Sequence, residues 1–193
     1  MKKTVFIAAL GLFIVAQTSE AAPITFAAIL SGAAESPATG SPGTGSTLIT
    51  VDAAANTLEV AVQFSGLVGT TTASHIHCCT ATPGSGNAGV ATTTPTFADF
   101  PLGVTSGTYD RVLDLTSLTS YNPAFVTANG GTAASAEAAL LAGILAGDTY
   151  LNIHTNTSPG GEIRGFLVAT PEPATWALML GLLAIPAMRP RRR

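Results

Sequence analysis

From Asn56 to Phe64 the chain reads Asn-Thr-Leu-Glu-Val-Ala-Val-Gln-Phe, which puts Leu58, Val60, Val62 and Phe64 on every second position. That is the period of a strand with one buried face; a helix would repeat its apolar positions every three or four residues. A looser version runs from Gly45 to Val51, and the Asp52-to-Asn56 stretch between the two reads as a turn, so the pair is expected as a hairpin. Ile24 to Leu30, Ala73 to Cys78 and Thr108 to Leu113 are further strand candidates. Thr149 to His154 and Glu162 to Val168 form a second expected hairpin around Thr-Asn-Thr-Ser-Pro-Gly. Many short strands separated by Gly, Pro and Ser predict a mostly β domain, an antiparallel Greek-key-like sandwich or barrel.

One short helix is expected, with Ser135 as its cap, Glu137 in its first turn, good helix formers from Ala138 to Leu145, and Gly147 as the stop. Gly143 weakens that pattern, and an Ala-rich buried strand or loop is the alternative. Ser36 to Gly45 and Thr80 to Thr96 are rich in Gly, Pro, Ser and Thr and read as irregular. The second follows His75-Ile76-His77 directly, so it is either a lid over a site or a plain surface loop.

Both termini differ from this interior. Residues 1–22 carry Lys2 and Lys3, an apolar run from Thr4 to Ala16, and small residues at Ala21 and Ala22, the pattern of a cleaved secretory signal. The run is short for a membrane span of about 20 residues, which disfavours the alternative of a membrane anchor. Residues 171–193 join Pro171-Glu172-Pro173 to an apolar run, 174–188, and then to Arg189, Arg191, Arg192 and Arg193. Arginines after an apolar run stay on the cytoplasmic side. The tail resembles the PEP-CTERM sorting signal of exopolysaccharide-producing Gram-negative bacteria. The resemblance implies transient inner-membrane insertion of a hydrophobic helix through 174–188 and processing by an exosortase. It also implies release to the cell surface or matrix, where exopolysaccharide or surface proteins are the expected partners. A simple C-terminal anchor is the other reading.

Residues 23–170 remain as one domain. They hold two arginines, Arg111 and Arg164, against nine acids, a net charge of −7. Such a surface repels nucleic acid and anionic lipid and has no basic patch to neutralise phosphates.

The chain has three histidines, in His75-Ile76-His77 and in Asn152-Ile153-His154-Thr155. Residues two apart on a strand share a face, so His75 and His77 point the same way, and Cys79 joins them if the strand continues. His154 shares its face with Asn152 and Tyr150. If the two strands are neighbours, three imidazoles converge, a ligand set for copper or zinc. The alternative is that each imidazole pins a loop through hydrogen bonds. Arg164 offers a planar fork for Glu35 or Glu162, either as a structural ion pair or with Glu162 as a general base. If the closing hairpin pairs 154 with 162, then Asn152, His154, Glu162 and Arg164 share a face. A carboxylate and an arginine without a nucleophile do not make an active site, and no pair of carboxylates suits glycan hydrolysis. Cys78 and Cys79 are the only cysteines. They are open to a disulfide between neighbours, which ranks first, to ligation of a metal beside the histidines, or to pairing with a partner or persistence as free thiols.

Leu30-Ser31-Gly32-Ala33-Ala34-Glu35-Ser36-Pro37, His75-Ile76-His77, and Tyr150 to Thr155 followed by Pro159 to Gly165 resemble, in order and spacing, the three motifs of the CHRD (chordin-type) domain over roughly residues 26 to 168. The resemblance implies an extracellular β-rich domain. Cys78-Cys79 departs from the Gly common after the second histidine. The His-x-His strand with a distant histidine is also similar to the copper ligands of Cu/Zn superoxide dismutase, but a fourth histidine and a zinc loop are missing. The expected function is therefore a non-catalytic structural or binding module, with a metal-binding site at His75, His77 and His154, open to redox activity, as the alternative.

Overall fold

A computed structural model describes residues 22–171. Apart from Ala22 and Pro171, the expected signal at 1–22 and the sorting tail at 171–193 lie outside the described residues. The eight strands are β1 (Ile24–Ser31), β2 (Thr44–Asp52), β3 (Thr57–Ser65), β4 (Thr71–His77), β5 (Gly107–Asp114), β6 (Tyr150–Thr155), β7 (Ile163–Phe166) and β8 (Val168–Ala169). Two helices, α1 (Pro123–Ala128) and α2 (Ala133–Ala146), lie between β5 and β6. Among the described residues no helix is long and apolar enough to cross a membrane.

Both expected hairpins form. β2 and β3 pair through nine residues, from Thr44↔Ser65 to Asp52↔Thr57. The Asp52 carboxylate accepts from the backbone N–H groups of Ala54 and Ala55 to shape the turn. β6 and β7 pair with Asn152 opposite Arg164, so the even-to-even condition on the closing hairpin is met. The single run expected from Glu162 to Val168 divides in two: at Leu167 the backbone N–H turns to the Thr149 carbonyl, and β8 pairs with β1 instead of β6.

All strands join one sheet, ordered β4-β6-β7-β1-β2-β3-β5, with β8 also on β1. The expected sandwich or barrel thus takes the form of a single antiparallel sheet curled towards a half-barrel. Residues 78–106 span its two edges. Phe97 donates its backbone N–H to Ser74 of β4 and lays its ring on Tyr109 of β5 at 5.6 Å between centroids. Gly103 and Val104 bond to Thr71 of β4. This segment covers the backbone edge that β4 would otherwise expose.

The inner face carries the core. Phe26 and Leu30, Ile49 and Val51, Leu58 to Phe64 in alternation, Ile76, Leu151, Ile153 and Ile163 all point into it. α2 closes this core with Ala136, Leu140, Gly143 and Ile144, a spacing that keeps one helical stripe inward. Its boundaries correct the sequence reading. Thr132 is the cap, accepting from the Ser135 backbone, and Ser135 is the third helical residue, whose hydroxyl accepts from the Thr132 N–H. Glu137 therefore falls beyond the first turn. Gly147, at φ 77°, ends the helix in the left-handed conformation as expected. α1 was not legible: six residues opened by Asn122 and Pro123 carry too short a pattern.

Gly143, the residue that weakened the helix in sequence, has a packing reason. A Cβ there would overlap both sulfurs of Cys78 and Cys79, which are bonded to each other. Gly143→Ala is therefore expected to cost about 1–3 kcal/mol through overpacking, measured as a lower urea midpoint. Helix propensity alone would instead add about 1 kcal/mol of stability.

Candidate metal centre

The register of three neighbouring strands builds the site. His75 lies opposite Asn152, His77 opposite Tyr150, and Ala73 opposite His154, while Asn152 lies opposite Arg164. With Ile76, Leu151, Ile153 and Ile163 committed to the core, the alternate positions must face outward. His75, His77, Tyr150, Asn152, His154 and Arg164 accordingly share the face opposite the core. The chain then covers them with the segment after β4 and the turn after β1, so His75 and His77 are only 6 % and 7 % exposed, and His154 is partly buried.

Each imidazole uses one nitrogen on a backbone carbonyl. His75 Nε2 donates to Pro95 O at 2.7 Å, His77 Nδ1 to Ala88 O at 2.9 Å, and His154 Nδ1 to Pro159 O at 2.9 Å. A carbonyl only accepts, so these nitrogens carry the proton, and the other nitrogen of each neutral ring holds a lone pair. Those three atoms, His75 Nδ1, His77 Nε2 and His154 Nε2, are buried and have no hydrogen-bond partner. The three histidines' ligand atoms lie within 4.8 Å of one another. Three atoms so spaced share a point no more than about 2.8 Å from each, so a metal with nitrogen bonds of about 2.0–2.1 Å would draw them inward. The three histidines can therefore hold one metal ion, with their tautomers already set by backbone carbonyls.

The electrostatics keep the rings neutral. Burial lowers the pKa of His75 and of His77 to about 4, against the opposing pull of their carbonyl partners, and the neighbouring histidines lower it further. Burial also lowers His154. Tyr150 stacks on His77 at 4.8 Å and 8°, and its hydroxyl meets both the N–H and the carbonyl of Ala88, so the ring and the covering segment are fixed together.

The residues around the histidines divide. Arg164 sits over Tyr150 at 4.6 Å. Its Nε donates to Ala34 O and its Nη1 to Asn87 Oδ1, with Glu35 Oε2 at 3.7 Å. Of the two expected carboxylates, then, Glu35 is the one beside Arg164. Burial raises the Glu35 pKa to about 7, against the Arg164 charge and the Ser36 N–H. Glu35 Oε1 and Asn152 Oδ1 are buried without partners, and both border the space that Gly161 leaves by having no Cβ.

Glu162 departs from the expected shared face. It precedes β7, and its carboxylate accepts from Ser41 Oγ at 2.5 Å, Val68 N at 2.6 Å, Gly69 N at 3.0 Å and Thr155 Oγ1 at 2.7 Å. Burial raises its pKa, but these four bonds outweigh burial and leave it lowered. An acceptor so fully engaged ties loops together and has no free lone pair suited to a general base. Cys79 is also placed elsewhere: its sulfur is bonded to Cys78 and rests against Gly143 of α2, so it offers no thiolate to the histidines. Tyr150 Oη, Asn87 and the Ala88, Pro95 and Pro159 carbonyls complete the site. A carbonyl has no sequence signature, so only the irregular segment after His77 pointed towards two of the three, those of Ala88 and Pro95.

A half-barrel of antiparallel strands with a histidine cluster on its covered outer face defines the class. The family model described as the CHRD domain matches residues 26–167, and the chain belongs to that family. No curated protein and no solved structure gives a significant match.

The neutral histidines make metal-free stability depend on pH. The unfolded chain protonates His75 and His77 near the ordinary 6.5, and the folded chain does so only near 4. Their contribution is thus full above about 6.5 and is lost as pH falls towards 4. Glu35 acts in the opposite sense, since its raised pKa favours the folded state as pH falls from about 7 towards its ordinary 4.5. Urea unfolding of the metal-free protein should show stability falling between about pH 6.5 and pH 4.5, and Glu35→Gln should steepen that fall. Stability that is flat in the wild type and in Glu35→Gln would contradict this assignment.

Proposed function

We propose that the protein is an exported, non-catalytic CHRD-domain module that carries one copper or zinc ion on His75, His77 and His154. The observation that carries the metal reading is the trio of buried, unpartnered nitrogens. A histidine whose task is only to pin a loop satisfies both nitrogens when buried; here each ring satisfies one and leaves the other buried without a partner, within a cluster whose ligand atoms lie within 4.8 Å of one another. Three neutral imidazoles suit zinc or copper and leave a further coordination position to water or an external ligand.

The module reading rests on the family and on how the carboxylates are engaged. Glu162 is held by four donors, so its carboxylate is not presented as a nucleophile or base. Export rests on the sequence of 1–22, and sorting to the surface or exopolysaccharide matrix on Pro171-Glu172-Pro173, the apolar run and the terminal arginines.

Two measurements test this reading. Calorimetric titration of the purified metal-free protein at neutral pH should show one zinc or copper(II) per chain. His75→Ala and His154→Ala should each weaken binding by more than the 10–100-fold typical of outer-shell changes while circular dichroism shows a folded β domain. No binding by the wild type would contradict the metal site. For sorting, replacing Pro171-Glu172-Pro173 with alanines should move the protein from the extracellular or surface fraction to the inner membrane of an exosortase-bearing host. Unchanged release would contradict the sorting reading.

A further inference from the structure

The Cys78–Cys79 disulfide stands at the one place where the two-histidine strand becomes the cover of its own site. Cys78 follows His77 directly, and its backbone N–H donates to Gly89 O. The neighbouring Ala88 carbonyl accepts the hydrogen bond of His77 Nδ1–H, and Val90 bridges to His77. Two residues on, Thr80 is tied by its N–H and hydroxyl to Asp148 O, just after α2. The disulfide thus sits in a short clamp that fixes both the second ligand and the carbonyl that orients it.

The clamp has no slack on the helix side. Both sulfurs lie so close to Gly143 that even one methyl group there would overlap them. Bonded sulfurs sit about 2.05 Å apart, whereas two thiols must separate to van der Waals distance, and the helix side has no room for them. Reduction removes the bond that closes the clamp, which frees the Cys78–Thr80 segment, and with it Gly89, Ala88 and the carbonyl that orients His77, to move. Cys78 is buried and Cys79 is exposed, so a reductant has one sulfur to attack.

We propose that the Cys78–Cys79 pair is a redox-modification site for dithiols that controls the metal affinity of the three-histidine centre, holding it high when oxidised and lowering it when reduced. The chemistry is ordinary exchange. One thiolate of a dithiol reductant attacks Cys79 Sγ and breaks the bond to Cys78, which leaves as a thiolate and takes up a proton. The second thiol of the reductant then resolves the mixed disulfide, releasing Cys79 as a thiol and leaving the reductant as a disulfide. Two electrons and two protons pass from the dithiol to the protein.

This inference rests on the metal reading, and one experiment separates the two. Zinc is the probe, because it does not oxidise thiols. The wild-type protein is titrated oxidised, after reduction by a dithiol and anaerobic removal of the reagent, and after re-oxidation, with near- and far-ultraviolet circular dichroism at each stage. The expected result is one zinc per chain when oxidised, affinity weaker by about 10–100-fold when reduced, as for loss of an outer-shell orienting partner, and recovery on re-oxidation. Cys78→Ser/Cys79→Ser should behave as the reduced protein. Equal or tighter binding by the reduced form overturns the switch and leaves the metal site standing. Loss of the β fold on reduction also overturns it, because the bond would then hold the domain and not the centre. Absence of zinc binding in every form contradicts the three-histidine reading itself.

Discussion

The antiparallel register of β4, β6 and β7 is the constraint on which the rest depends. It aligns His75 with Asn152 and Asn152 with Arg164 across three strands. Because side chains alternate, the same register commits Ile76, Leu151, Ile153 and Ile163 to the core and the polar residues between them to the opposite face. A slip of one residue would exchange the two sets, burying imidazoles in hydrocarbon and exposing isoleucines. The cost of burying four large apolar side chains the wrong way, at about 1.5–3 kcal/mol each, fixes the register and so assembles the histidines. The site is a by-product of core packing, in the sense that the apolar residues hold it in place.

The covered outer face is what turns three aligned histidines into a centre. On an open sheet surface the free nitrogens would be satisfied by water. Here the segment after β4 folds back, supplies the Ala88 and Pro95 carbonyls, and excludes solvent from His75 and His77. Tyr150 and Arg164 hold that cover from beneath, through Ala88 and Asn87 respectively. The carbonyls select one tautomer per ring, so the nitrogen that carries each lone pair is fixed before any ion arrives. Burial keeps the rings neutral, which is the protonation state a metal needs.

Much of this was legible in the chain. The alternation in Leu58 to Phe64 and the two hairpins follow from period two and turn residues alone, whereas the even-to-even pairing of the closing hairpin was only one of its possible registers. The convergence of the histidines depended on β4 and β6 being neighbours, which no local pattern states: 75 and 152 are paired by the topology. The engagement of Glu162 was hidden for a similar reason, because its partners Ser41, Val68 and Gly69 belong to loops distant in sequence. Ser135 looked like a cap because it stands before the helix formers, yet Thr132 supplies the reciprocal bond three residues earlier. Gly143 weakened the helix as a propensity and proved to be a seat for two sulfurs, a tertiary demand that overrides local preference.

The central claim is that the three unpartnered nitrogens are ligands. X-ray absorption at the zinc edge of the protein loaded with one equivalent tests it most directly. The account predicts three imidazole nitrogens at about 2.0–2.1 Å and no sulfur. A sulfur neighbour at about 2.3 Å, or fewer than three imidazoles around the bound zinc, would contradict it.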